Sequence, residues 1–263
     1  MTVFAMAPDG VRIALHELGD PAGRPVLLIH GFSSNARRNW IDSGWSEPLA
    51  DAGLRGIAMD LRGHGDSDRP STGYDVQRFV DDVDAVLLQL ALDEAPGAIG
   101  YSMGARLLWR HSGTRPFAFR SLVLGGLPAG DPFQQFDVAL ALRALAGETG
   151  AGPMESFIVE LAQVFPEHDP STLVTLAGEV SRTLFDPQEA PPQVPTLLMT
   201  GEKDRRARDT EALLPLLPHG RFEAIPGRNH VNAPTSGHFR RTASAFLAQR
   251  PSEARLPQTR DTR

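Results

Sequence analysis

The segment Gly100-Tyr101-Ser102-Met103-Gly104 has the spacing G-x-S-x-G, which on a sharp strand-to-helix turn holds a serine hydroxyl exposed for attack. The two glycines matter because side chains there would collide as the chain reverses into the helix. A serine hydroxyl is a poor nucleophile by itself. It needs a base to take its proton and a third group to orient that base. Downstream, Asp204 stands in Thr200-Gly201-Glu202-Lys203-Asp204 and His230 in Gly227-Arg228-Asn229-His230-Val231-Asn232. Nucleophile, acid and histidine thus follow in that order, and together they point to acyl transfer through a covalent intermediate.

These residues act together only if the elements around them end at one edge. Pro25–His30 is a short continuous apolar run, the pattern of a strand buried on both faces. Leu54–Met59, Ala98–Tyr101, Ser121–Leu124, Pro195–Thr200 and Phe222–Ile225 read as further short strands. Val3 to Ala5 and Val11, Ile13 and Leu15 flank Pro8-Asp9-Gly10 as a leading hairpin. Helical periods fall between the strands. A segment runs through Trp45 to Ala52, another covers Met103 to about His111, and others cover Glu211–Leu217 and His238–Gln249. From Tyr74 to Leu92, Phe79, Val80, Val83, Val86, Leu87 and Leu90 form an apolar stripe, which predicts Asp81, Asp82 and Asp84 on the outer face. Strands alternating with amphipathic helices predict an α/β fold with a mostly parallel β-sheet flanked by helices. Ser102, Asp204 and His230 each then sit where a strand's C-terminal end meets a loop, the edge at which open α/β sheets bind ligands.

The stretch from Pro128 to Pro192 breaks the rhythm, with helical patterns at Phe136–Leu145, Met154–Val164 and Thr172–Leu184 and no strand. It reads as an inserted helical cap. The expected organisation is a core of residues 1–127 and 193–250, a cap of residues 128–192 and a flexible tail of residues 251–263. Phe133, Phe136, Leu140, Leu142, Phe157, Ile158, Leu161 and Phe165 could roof an apolar pocket, although helices of this period mainly pack on one another.

Composition narrows the function classes. The chain has 263 residues, 41% hydrophobic and 22% charged, within the range of globular proteins. Its net charge of −6 argues against a nucleic-acid partner, which calls for a basic surplus. The absence of cysteine removes thiolate nucleophiles and Cys-ligated metals. His16, His111, His168, His219 and His238 are scattered singly, with no His-Glu-x-x-His spacing to suggest a metal. Neither a P-loop nor a Rossmann glycine fingerprint occurs, so no cofactor is expected. No apolar run reaches the ~18 residues of a membrane span, and the N-terminal residues lack the basic and apolar regions of a signal peptide. A cytoplasmic protein acting on a small-molecule substrate is the expectation. An apolar helix face packs equally well inside one chain or between two, so oligomeric state is left open.

With these motifs the chain resembles the α/β-hydrolase family, in its cap-bearing serine hydrolase branch. The likeness runs from the hairpin to the last helix. It rests on His30-Gly31-Phe32, on Asp60-Leu61-Arg62-Gly63-His64-Gly65-Asp66-Ser67-Asp68, on the serine elbow and on the Asp204 and His230 loops. The resemblance implies Ser102 as nucleophile, His230 as general base and acid, and Asp204 as its orienting carboxylate, with Asp131, just after Gly125-Gly126, as the alternative because some members of the family place the carboxylate there. It also implies an oxyanion hole from the backbone N–H groups of Phe32 and Met103. Asp60 and the Arg62–Gly65 stretch are expected to shape a loop beside the site, and His30 to pack that loop. Relatives often carry a second glycine after the elbow, where this chain has the small Ala105. A serine at the elbow disfavours the dehalogenases and epoxide hydrolases of the family, which use aspartate there. The implied activity is carboxylic-ester hydrolysis. C–C bond hydrolysis, lactone hydrolysis and cofactor-free perhydrolysis are alternatives on the same triad, and a ligand-binding member without turnover is the non-enzymatic one.

Overall fold

Strand β3 (Arg24–Ile29) lies near the middle of an eight-stranded sheet, and its side chains show how the sheet divides the molecule. Leu27 and Ile29 point into one apolar layer and Val26 and Leu28 into the other, as the two-residue repeat of a strand requires. The same alternation recurs on β6 (Ser121–Gly125), where Leu122 and Leu124 face one layer and Val123 the other. A run of consecutive apolar residues is therefore not wasted, because both sheet faces are covered. In the computed structural model the described residues are 2–134, 136–164 and 169–249.

The sheet order is β1-β2-β4-β3-β5-β6-β7-β8. Strand β1 (Val3–Met6) pairs antiparallel with β2 (Arg12–Gly19), and β2 pairs antiparallel with β4 (Leu54–Met59). From β4 onward, through β3, β5 (Gly97–Tyr101), β6, β7 (Thr196–Gly201) and β8 (Gly220–Ile225), every pairing is parallel. The mostly parallel sheet and the leading hairpin agree with the sequence reading, and seven strands match it to within two residues at each end, whereas β2 runs on past Leu15 to Gly19, where it stays paired with β4.

Helices α2 (Val76–Leu90) and α3 (Met103–Thr114) bury Phe79, Val83, Leu107 and Leu108 in one layer. Helices α1 (Ser46–Asp51) and α7 (Gly237–Ala248) bury Leu49, Phe239 and Leu247 in the other. Between β6 and β7 come α4 (Val138–Leu145), α5 (Pro153–Val164) and α6 (Pro170–Val180), the expected helical insertion. Two of them start on side-chain caps: the Asp137 carboxylate accepts from the Ala139 and Leu140 amides, and Asp169 from the Thr172 amide. Phe165, His168 and residues 251–263 lie outside the described residues.

Three local expectations are corrected. Asp82 is buried, not turned outward: three residues on from Phe79 it shares the inner face of α2, where Arg62 meets it at 2.6 and 2.7 Å. A charge is tolerated there because it is paired. The Glu211–Leu217 helix is a tighter 3-10 segment over Thr210–Leu216, since Pro215 has no N–H to continue an α-helix. The segment expected at Thr172–Leu184 ends as a helix at Val180. Ahead of α1, Arg37–Ile41 forms one wide turn, closed by the Asp42 amide on the Arg37 carbonyl at 2.8 Å.

Candidate active site

Ser102 sits between β5 and α3 with φ 53° and ψ −113°, a conformation that non-glycine residues seldom adopt. The surroundings hold it there. The Ser102 amide donates to the Gly125 carbonyl (2.8 Å) and its carbonyl accepts from the Arg106 amide (3.1 Å). Helix α3 presses so closely on β3 that a Cβ at Gly104 would lie 2.3 Å from the Ile29 carbonyl oxygen. The second glycine of G-x-S-x-G is thus a requirement of close backbone approach.

Asp204 follows β7 and His230 follows β8, neighbouring parallel strands whose ends bring the two loops together. The Lys203 amide donates to the Arg228 carbonyl (2.9 Å) and ties one loop to the other. Asp204 is buried, and one of its carboxylate oxygens accepts from the Arg206 (2.9 Å) and Ala207 (3.1 Å) amides. The other oxygen lies 2.7 Å from His230 Nδ1, and His230 Nε2 lies 3.0 Å from Ser102 Oγ. Nδ1–H facing a carboxylate leaves Nε2 as the acceptor for the serine hydroxyl. Asp204, His230 and Ser102 therefore form one continuous hydrogen-bonded chain.

Asp131 is not part of that chain. It forms a buried ion pair with Arg106 of α3 (3.1 Å) and accepts from the Phe133 and Phe185 amides, so it ties the elbow helix to both ends of the insertion. His30 is buried with Nδ1–H donating to the Gly31 carbonyl (2.8 Å) and Nε2 accepting from the Leu61 amide (3.0 Å). Burial pushes its pKa down, against the nearby Asp60 charge. His64 Nε2 accepts from the Ser33 amide (3.2 Å), which steadies the turn after Phe32. Asp60 accepts from the Ala36 and Asp66 amides (2.7 and 2.9 Å) and pairs with His16 at 2.9 Å. His16, Asp60 and Asp66 are the one group of metal-type ligands brought together among the described residues. Two amides and an imidazole already occupy Asp60.

The N–H groups of Phe32 and Met103 have no hydrogen-bond partner among the described residues, and both residues line a cavity of about 620 Å³ that also holds Ser102 and His230. Phe133, Phe157, Ile158 and Leu161 line it as well, together with Met154 and Phe185. Phe136 instead packs against the core and Leu142 is exposed.

Sequence reasoning missed four contributors. Tyr101 donates its hydroxyl to the His230 carbonyl (2.6 Å), and the middle position of the G-x-S motif gives no sign of this. Ser33, with φ 56°, donates its hydroxyl to the Leu161 carbonyl on α5 (3.3 Å). Arg205 and Arg206 line the cavity, and their adjacency to Asp204 was the signal available.

Residues 26–247 match the model of the alpha/beta hydrolase family. A non-heme chloroperoxidase of Kitasatospora aureofaciens is 40% identical over 123 residues, 44% of this chain and 40% of that protein. The match therefore spans about two-fifths of that relative's length. A non-heme haloperoxidase of Rhodococcus erythropolis is 26% identical over 272 residues, 88% of this chain and 95% of that protein. Among solved structures, an esterase of Exiguobacterium antarcticum superposes with a TM-score of 0.75 at 24% identity, covering 95% of this chain and all of that one. At that identity the superposition speaks for the fold. With the family model matched over most of this chain, the chain belongs to the alpha/beta hydrolase family.

Proposed function

We propose that the protein is a serine hydrolase that cleaves a carboxylic ester of a small, largely hydrophobic substrate. The observation that carries this reading is the unbroken chain from Asp204 through His230 to Ser102. In the proposed reaction His230 Nε2 takes the Ser102 proton as Oγ attacks the ester carbonyl carbon. The oxyanion so formed faces the Phe32 and Met103 amides, where donors aligned in advance contribute a few kcal/mol. Collapse breaks the bond to the alkoxy group, which leaves as the alcohol with the proton from His230. A water molecule, deprotonated by the same nitrogen, then attacks the acyl-enzyme, releases the acid and restores Ser102. Asp204 keeps His230 in the productive tautomer throughout. In this reading residues 1–127 and 193–250 carry the chemistry and residues 128–192 cap the pocket.

The haloperoxidase names of two relatives favour a second reading on the same acyl-enzyme. Hydrogen peroxide would replace water, giving a proton to His230 as it attacks and releasing a peracid, and His230 would pass that proton to Ser102.

A p-nitrophenyl ester series from acetate to decanoate tests the first reading. The native protein is expected to turn over at least one ester, and Ser102→Ala to lose that activity by a factor of roughly 10³ or more. An inert native protein, or a variant as active as the native one, overturns it. Peracid formation from acetate and hydrogen peroxide exceeding hydrolysis would favour the second reading.

A further inference from the structure

The charge of the cavity lining has no part in the triad chemistry. Among the described residues four arginines line the cavity (Arg38, Arg106, Arg205 and Arg206) and no aspartate or glutamate does, in a chain whose net charge is −6. Arg106 is neutralised by Asp131. Arg205 and Arg206 form no ion pair with any described residue. Both are exposed, and an exposed residue that lines a cavity marks its mouth. Arg206 is also held in place. Its guanidinium carbon lies 3.2 Å from the centre of the Phe157 ring on α5, and its own amide is fixed by Asp204. A ring face orients a guanidinium while leaving its N–H fork available. The partial loss of water pulls the Arg206 pKa down, against the Asp204 and Glu160 charges, and an arginine so placed still carries its proton.

The remainder of the lining is mostly apolar, with Phe32, Leu127, Phe133, Ile158 and Leu161 among it. An apolar cavity whose mouth carries unpaired cations suits a ligand that is greasy in the middle and anionic at one end. A neutral ester gains nothing from these arginines. A carboxylate gains charge-assisted hydrogen bonds from a planar fork and is steered toward the cleft from a distance.

We propose that the preferred substrates are esters carrying a free carboxylate beyond an apolar spacer, with the ester carbonyl at Ser102 and the carboxylate held by Arg205 and Arg206 where the Asp204 loop meets the cap. The substrate orientation rests on the serine hydrolase reading, whereas the anion site stands on the arginines alone.

The test compares kcat/KM for monomethyl adipate and methyl hexanoate, a charged and a neutral ester of equal chain length. The native protein should favour the charged ester about tenfold, the product of two partly exposed ion pairs worth a factor of about three each. Raising the ionic strength should shrink that ratio. Arg205→Gln with Arg206→Gln should bring it to near one, Arg205→Lys with Arg206→Lys should keep most of it, and Arg205→Glu should reverse it. A native ratio near one, or a ratio that survives the paired Gln substitutions, overturns the proposal and leaves the hydrolase reading standing. Titrating adipate into Ser102→Ala separates the two in the other direction. Binding that disappears with the paired Gln substitutions supports the anion site even if no methyl ester is cleaved, and no binding to the parent variant overturns it.

Discussion

The central sheet and the inserted helices are built to different tolerances. Every residue of β5, β6 and β7 is buried, and the charges enclosed beside the sheet are paired, Arg62 with Asp82 and Asp9, and Asp60 with His16. In the insertion, α4 buries only Ala141 and leaves Leu142 44% exposed. That layer meets the core through apolar residues of α5 and α6, such as Ile158 and Leu176, and through a few polar ties: Glu179 accepting from the Gly73 and Tyr74 amides, Asp131 receiving Arg106, and Ser33 reaching the Leu161 carbonyl. The groups proposed to react must keep their geometry to a few tenths of an ångström, and they stand on the over-determined region. The side chains proposed to choose the substrate stand where packing leaves room. Fewer enclosing contacts also mean a lower cost of local opening.

The comparison is most easily broken at the elbow. An added Cβ at Gly104 would meet the Ile29 and His30 carbonyl oxygens at 2.3 and 2.6 Å, and β3 cannot retreat because β4 and β5 hold it on both sides. Gly104→Ala is expected to cost more than about 3 kcal/mol of stability. In a chain of this length that lowers Tm by roughly 6–12 °C, measurable by calorimetry. A Tm within a degree or two of the native value would mean that the sheet gives way as readily as the cap.

The two regions also differed in how far they could be read from sequence. The strands were legible because burial on both faces leaves an uninterrupted apolar run, as in Pro25–His30, and few other structures write that pattern. Ser102, Asp204 and His230 were legible because each is a reactive type just past such a run, and the structure brings the three into one hydrogen-bonded chain. Asp82 was misread because helical periodicity assigns a face by polarity, whereas its burial depends on Arg62, twenty residues away. The same blindness hid Tyr101, whose partner is the His230 carbonyl, and the occupation of Asp131 by Arg106. The insertion was legible as helices and obscure as a surface. Phe136 and Phe157 look equivalent in sequence, and only their packing sends one to the core and the other to the cavity.

A smaller effect tests the paired charges of the core. Burial alone would raise the Asp60 carboxyl, but His16, the neighbouring His30 and the Ala36 and Asp66 amides together hold it at about 2 against an ordinary 3.8. The native state therefore binds that proton more weakly than the unfolded chain, so its contribution is complete above the ordinary value and is lost as pH falls toward 2. His16 runs the other way. Its bond to Asp60 raises its pKa, against burial, so its contribution is complete in mild acid and fades as pH rises past the raised value. Asp60→Asn keeps the shape but turns an amide N–H₂ toward donors, at a cost of about 2 kcal/mol. The Tm gap between native and variant should be widest near pH 5, narrower at pH 8 and closed toward pH 2. A gap that does not change with pH would assign the loss to shape alone.

The smallest expected effect lies in the cap, at a glycine that looks as crowded as Gly104. A Cβ at Gly178 on α6 would fall 2.2 Å from Val138 Cγ2, yet the next nearest atom is 3.7 Å away. The obstacle is the tip of one half-buried side chain at the first turn of α4, which can shift without breaking a strand pairing. Alanine also favours a helix interior over glycine by about 1 kcal/mol, which offsets much of the strain. Gly178→Ala should therefore change stability by no more than about 1 kcal/mol and Tm by roughly 3 °C or less, in either direction. Two glycines with similar closest contacts would then differ several-fold in cost, because one abuts backbone in a sheet held from both sides and the other a movable methyl. Equal losses at the two sites would show that the insertion is packed as rigidly as the sheet, and the division between a fixed centre and a yielding cap would fall with it.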